Sequence, residues 1–86
     1  MEIIYSKSAV KAINSYDKPT KARIKAGIEG LTKKPPQGDI KPLQGYSDGR
    51  CRLRIGAYRI IFKYGNKGEI EVLMILDIGS RGDIYK

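Results

Sequence analysis

Hydrophobic positions change their period along the chain. Glu2 to Ser6 holds Ile3, Ile4 and Tyr5, a β-branched and aromatic cluster that predicts a short strand. Ser8 is suited to cap a helix, and from there Val10, Ile13 and Tyr16 fall on one helical face. Asp17-Lys18-Pro19 reads as a turn opening a second helix, since proline suits the first helical turn. In that helix Ile24, Ile28 and Leu31 stand at i, i+4 and i+7, with Lys21, Arg23 and Lys25 outside the stripe. Gly27 and Gly30 weaken it, and the run Lys33-Lys34-Pro35-Pro36-Gln37-Gly38 ends it. The two helices and their short turn make a helical hairpin.

Beyond it the period drops to two. Arg50-Cys51-Arg52-Leu53-Arg54-Ile55 alternates strictly, with arginines on one face and apolar side chains on the other. Gly56-Ala57 fits a two-residue hairpin loop with glycine first, and Tyr58 to Tyr64 follows as a strand. Asn66-Lys67-Gly68 fits a three-residue loop, and Glu69 to Leu76 is the last clear strand. The first loop sets Ile55 opposite Tyr58, Arg54 opposite Arg59 and Leu53 opposite Ile60. The second sets Tyr64 opposite Ile70, Phe62 opposite Val72, Ile60 opposite Met74 and Tyr58 opposite Leu76, with Lys63 beside Glu71. The expected class is α+β: an N-terminal strand, a helical hairpin and a three-stranded antiparallel meander, with the helices on one face of the sheet.

That register leaves the other face to Arg50, Arg52, Arg54, Arg59 and Lys63, with Ile61, Leu73 and Ile75 among them. Arg54 and Arg59 would repel each other directly, which stability alone rarely selects. The alternatives are a solvated surface protected at its edge by arginines and a phosphate-recognition face. Clustering, without acidic residues alternating in these strands, favours the second. The tail from Asp77 to Tyr85 can fold back over the same cluster and add Arg81 and the Tyr85 phenol. Ile61, Leu73 and Ile75 form either an exposed patch for a partner or a floor beneath that tail.

Composition narrows the chemistry. A chain of 86 residues holds one domain, residues 1–86, around one core. Seventeen Lys and Arg against nine Asp and Glu give a net charge of +8, which points to an anionic partner. The absence of histidine excludes a Ser-His-Asp triad and paired-histidine RNA cleavage. With Cys51 the single cysteine, the usual zinc sites and an internal disulfide are excluded as well. Cys51 itself falls on the core face as a small hydrophobe. No metal or cofactor is expected. The opening residues do not read as a signal peptide, and no apolar run approaches ~18 residues, so a cytoplasmic protein without membrane contact is expected. Arg81-Gly82-Asp83 spells an adhesion tripeptide, taken here as coincidence.

The segment from Lys41 to Tyr85 carries a more specific signal. It contains Lys-Pro-Leu-Gln-Gly, then Arg-Leu-Arg-Ile-Gly-Ala-Tyr-Arg-Ile-Ile-Phe, then Ile-Leu-Asp-Ile-Gly-Ser-Arg-Gly-Asp-Ile-Tyr. With the element order, these stretches resemble the RelE/ParE superfamily of bacterial toxins. The resemblance implies a RelE-like mRNA interferase acting in the ribosomal A site and silenced by a cognate acidic antitoxin, with ribosome and mRNA as further partners. Operator DNA would be met only through the antitoxin. Carried over by position, the catalytic set is Arg52, Arg54, Arg59, Arg81 and Tyr85, and a shifted strand offset would recruit Arg50 in place of Arg54. Arg50 and Lys63 would bind RNA, and Ile61, Leu73 and Ile75 would bind the antitoxin. In such a mechanism the RNA 2′-hydroxyl attacks the adjacent phosphorus while arginines offset the developing charge. Relatives often carry lysine, glutamate or histidine where this chain has Arg52, Arg54 and Ser80. Arginine stays protonated, and Tyr85, the neutral titratable candidate there, has a reference pKa of about 10 that is high for a base, so the general base stays open. The alternative implied by the same resemblance is a ParE-like inhibitor of DNA gyrase without nuclease activity.

Overall fold

The computed structural model describes residues 1–80, so Arg81 and Tyr85 lie outside the described residues. The elements run β1 (Glu2–Tyr5), α1 (Lys7–Ser15), α2 (Lys18–Gly30), β2 (Asp39–Pro42), β3 (Cys51–Ile55), β4 (Tyr58–Lys67) and β5 (Ile70–Ser80). The five strands form one sheet in the order β1-β5-β4-β3-β2. Among the described residues only β1 is parallel to its neighbour, β5. Both helices cover one face, as expected. The expected meander is present as β3-β4-β5, with β2 added at one edge and β1 at the other. Asp39-Ile40-Lys41-Pro42 is too short to show an alternation of its own. It pairs with β3, and Ile40 packs against the core.

Helix α1 starts at Lys7, so its cap falls two residues before Ser8. Its cap is Ser6, whose hydroxyl oxygen accepts from the Ala9 amide at 3.0 Å and whose hydroxyl donates to the Leu76 carbonyl at 2.7 Å. Ser8 instead donates to Asp77 Oδ1 at 2.9 Å. The inward face of α1 is Ala9, Ala12, Ile13 and Tyr16, so Val10, expected inside, is 44% exposed. Helix α2 starts as read: Asp17 accepts from the Thr20 amide at 3.0 Å, and Pro19 occupies the first turn. Ile24, Ile28 and Leu31 are buried. Gly27 has a structural role, because a Cβ there would collide with Ile55 Cδ1, so its bareness lets α2 lie close on β3.

The β3–β4 register is the expected one, with Ile55 opposite Tyr58, Arg54 opposite Arg59 and Leu53 opposite Ile60. Gly56 takes a φ of +57° in the intervening loop. The β4–β5 register is not the expected one. The turn is the two residues Gly68 and Glu69, with Gly68 at φ +65° and Lys67 opposite Ile70. Tyr64 therefore faces Leu73 and Phe62 faces Ile75, while Lys63 faces Met74 and Glu71 faces Asn66. A bulge beside Ile61 and Phe62 then restores the core face, placing Ile60 opposite Ile78.

This offset is odd, so it turns β5 over. Leu73 and Ile75, expected on the open face, are 0% and 1% exposed and lie in the core beneath the helices. They are not available to an antitoxin. The core joins Ala9, Ile24, Ile28 and Leu31 of the helical segment to Leu53, Ile60, Phe62, Leu73, Ile75 and Ile78 of the sheet. Ile61 stays on the opposite face but is only 6% exposed, which leaves little for a partner to touch. Among the described residues no helix is long and apolar enough to cross a membrane.

Candidate nucleic-acid interface

The sheet face away from the helices is organised in rows running across the strands. One row is Asp39, Arg54, Arg59 and Gly79, and the next is Lys41, Arg52, Ile61 and Asp77. Side chains two residues apart on a strand share a face, so Lys63 continues the side of Arg59 and Ile61. Five cations thus occupy adjacent positions on β2, β3 and β4: Lys41, Arg52, Arg54, Arg59 and Lys63. Lys41 was missed from the sequence because β2 was missed.

The face also contains carboxylates that the strand sequences did not reveal. Asp39 Oδ1 lies 3.4 Å from Arg52 Nη1, and the same nitrogen donates to the Asp39 carbonyl at 3.1 Å. Arg52 is thereby held across the strand pair, with a side chain only 11% exposed. In loop 43–50, Asp48 takes Arg50 in a fork. Nη2 donates to Oδ2 at 2.8 Å, and Nε lies 3.1 Å from each oxygen. Asp48 Oδ2 also lies 3.5 Å from Lys63 Nζ. These cations, led by the Arg50 hydrogen bonds, lower the Asp48 pKa to about 2. Arg50 in addition stacks on Tyr46, its Cζ 4.4 Å from the ring centroid.

Arg50 and Arg52 are engaged by carboxylates, and so is Lys63. Arg54 is exposed, directly opposite Arg59, and makes no ion pair among the described residues. Arg59 is half-buried. The arrangement can hold an oxyanion between Arg54 and Arg59, with Arg52 fixed in the neighbouring row. Among the described residues no group of three or more Cys, Asp or Glu is placed to hold a metal ion.

Residues 3–85 match the family described as ParE toxin of type II toxin-antitoxin system, parDE. Three solved structures have the same fold. The archaeal RelE–RelB complex from Pyrococcus horikoshii OT3 is 29% identical, with a TM-score of 0.71 over 95% of this chain and 96% of the other. The RelB–RelE antitoxin–toxin complex from Methanococcus jannaschii is 26% identical, with a TM-score of 0.70 over 95% and 94%. The YoeB/ParE toxin from Agrobacterium tumefaciens is 20% identical, with a TM-score of 0.71 over 94% and 99%, a likeness of fold alone. No curated protein sequence matches the chain. Sheet order, helical cover and the extent of these matches define a member of the RelE/ParE toxin superfamily. The chain belongs to the ParE toxin family and is a toxin of a type II toxin–antitoxin system.

Proposed function

We propose that this toxin is a RelE-like endoribonuclease that cleaves mRNA presented by the ribosome. One observation carries the reading: Arg54 and Arg59 stand opposite each other on the open sheet, beside a third arginine already held in place. Such a site suits a phosphodiester, whose equatorial oxygens gain negative charge as the 2′-oxygen attacks. In that step the 2′-oxygen bonds to phosphorus and the bond to the 5′-oxygen breaks. The 2′-hydroxyl proton leaves to a base, and the 5′-oxygen takes up a proton. Arg54, Arg59 and Arg81 stabilise the phosphorane-like charge, Arg52 positions the strand, and Tyr85 orients a nucleotide or takes the proton. Arginine is a poor base, so the site benefits from a ribosome that fixes the 2′-hydroxyl in line. RelB in the two archaeal complexes supports a cognate antitoxin as partner.

The matching family is named for ParE, and this favours a second reading, inhibition of DNA gyrase without RNA cleavage. Primer extension on translated and free mRNA, run beside a gyrase supercoiling assay, separates the two. Cuts confined to translated message support the nuclease. Loss of supercoiling with intact message replaces it with the ParE reading.

A further inference from the structure

Loop 43–50 carries a side-chain stack that the proposed chemistry does not use. Tyr46 is 53% exposed, one of the few large apolar groups the described chain leaves outside. One side of its ring rests on the Arg50 guanidinium at 4.4 Å. Arg50 cannot rotate freely beneath it, because Asp48 grips its Nε and Nη2 edge through both carboxylate oxygens. Asp48 also reaches Lys63 on β4, tying the loop to the cationic face. The loop is closed at its base, where the Leu43 amide donates to the Arg50 carbonyl at 3.1 Å. Gly45 and Gly49, at φ +86° and +80°, make the bends on either side.

The result is a preassembled stack with a cation on one side of an aromatic ring. With its Nε–Nη2 edge engaged by Asp48, Arg50 has only its remaining N–H groups for a phosphate. Its evident effect is to hold the Tyr46 ring. A ring held this way fits a flat apolar ligand better than an anion. Beside a face suited to a phosphodiester backbone, the flat ligand is an unpaired nucleobase, since paired bases are already stacked. We propose that Tyr46, backed by Arg50 and positioned by Asp48, stacks on an unpaired RNA base flanking the phosphate site of Arg52, Arg54 and Arg59.

The inference rests on the nuclease reading, and the test separates the two. Fluorescence anisotropy at low salt would follow a labelled single-stranded oligoribonucleotide and an abasic strand of equal length and charge. Tyr46→Ala should weaken the base-bearing strand on the order of 10-fold and leave the abasic strand unchanged. Tyr46→Phe should bind both strands as wild type does. Asp48→Asn, which loosens Arg50 but also frees Arg50 and Lys63 for phosphate, should tighten the abasic strand and lower the preference for the base-bearing one. Equal losses on both strands, or no loss with Tyr46→Ala, would overturn the stacking role. Arg54→Ala should weaken both strands alike and so reports on the phosphate site independently. Wild-type protein that binds neither strand overturns the platform, whereas the nuclease reading stands or falls on primer extension with translated message.

Discussion

Arg54 on β3 and Arg59 on β4 stand directly across from each other in the ladder. Asp39, on the other side of Arg54 in the same row, directs its carboxylate to Arg52. Arg54 itself makes no ion pair among the described residues. Arg54→Ala should be neutral or stabilising by a few tenths of a kcal/mol, since directly opposed like charges destabilise a sheet. Its cleavage of ribosome-presented mRNA should fall on the order of 100-fold or more. A urea melt beside single-turnover cleavage measures both. A destabilised variant that cleaves normally would make Arg54 a structural residue.

Leu73 provides the contrast. It is fully buried between helices and sheet, so Leu73→Ala should cost about 2–5 kcal/mol, and Leu73→Asp should leave the chain unfolded. Urea denaturation followed by circular dichroism checks the first, and an NMR spectrum checks the second. A folded Leu73→Asp protein that had lost only its antitoxin would put this residue back on the surface.

Leu73 also shows where the sequence became ambiguous. In β3, arginines alternate with Cys51, Leu53 and Ile55, so only one face can be buried, and its register with β4 is as read. In β5, Val72, Met74 and Leu76 make as good an apolar face as Leu73 and Ile75, because the strand lies between β1 and β4. Alternation could not choose between them, and the choice fell to the turn. Asn66-Lys67-Gly68 suggested three residues, whereas the glycine-first pair Gly68-Glu69 forms the loop. Arg52, Arg54 and Arg59 were legible as a cluster because their face depends on β3 and β4 alone. Asp48 and Tyr46 were not, since a loop places them there without a period.

Gly27 makes a testable close contact. Alanine there would gain helix propensity of about 1 kcal/mol, but its methyl group would meet Ile55 Cδ1. Overpacking typically costs about 1–3 kcal/mol, so Gly27→Ala should be destabilising by roughly 1 kcal/mol. Ile55→Val removes the colliding methyl, and the double variant should recover the loss. Additive destabilisation in that cycle would show that the helix does not rest on Ile55. Gly30→Ala is milder, because the nearest atom is Gln37 O at 3.1 Å.

The Asp48 carboxyl, held at about 2 by Arg50 and Lys63, binds its proton later in the folded chain than in the unfolded one. Its contribution to stability is present above about pH 4, the ordinary carboxylate range, and is lost as pH falls towards 2. Asp48→Asn should flatten that part of the stability profile, and the stability it loses through this linkage should be greatest near neutrality and vanish as pH falls towards 2. Carboxyl-detected NMR titration should find the Asp48 midpoint raised in Arg50→Ala. An unchanged midpoint would mean that the fork does not persist in solution.

The parallel pairing of β1 with β5 has a consequence for the order in which the protein is made. Ile3 lies beside Leu73, the Ser6 amide donates to the Ile75 carbonyl at 3.0 Å, and the Ser6 hydroxyl reaches Leu76. Strand β1 must wait for β5. A nascent chain still lacking β5 has no neighbour for β1, no lid contact for the start of α1, and no Leu73, Ile75 or Ile78 in its interior. Closing so long a loop is slow in folding terms, and synthesis delays it further. Products truncated before β5 should therefore be inert and short-lived, because the toxin can take shape only after residues 70–80 have been made.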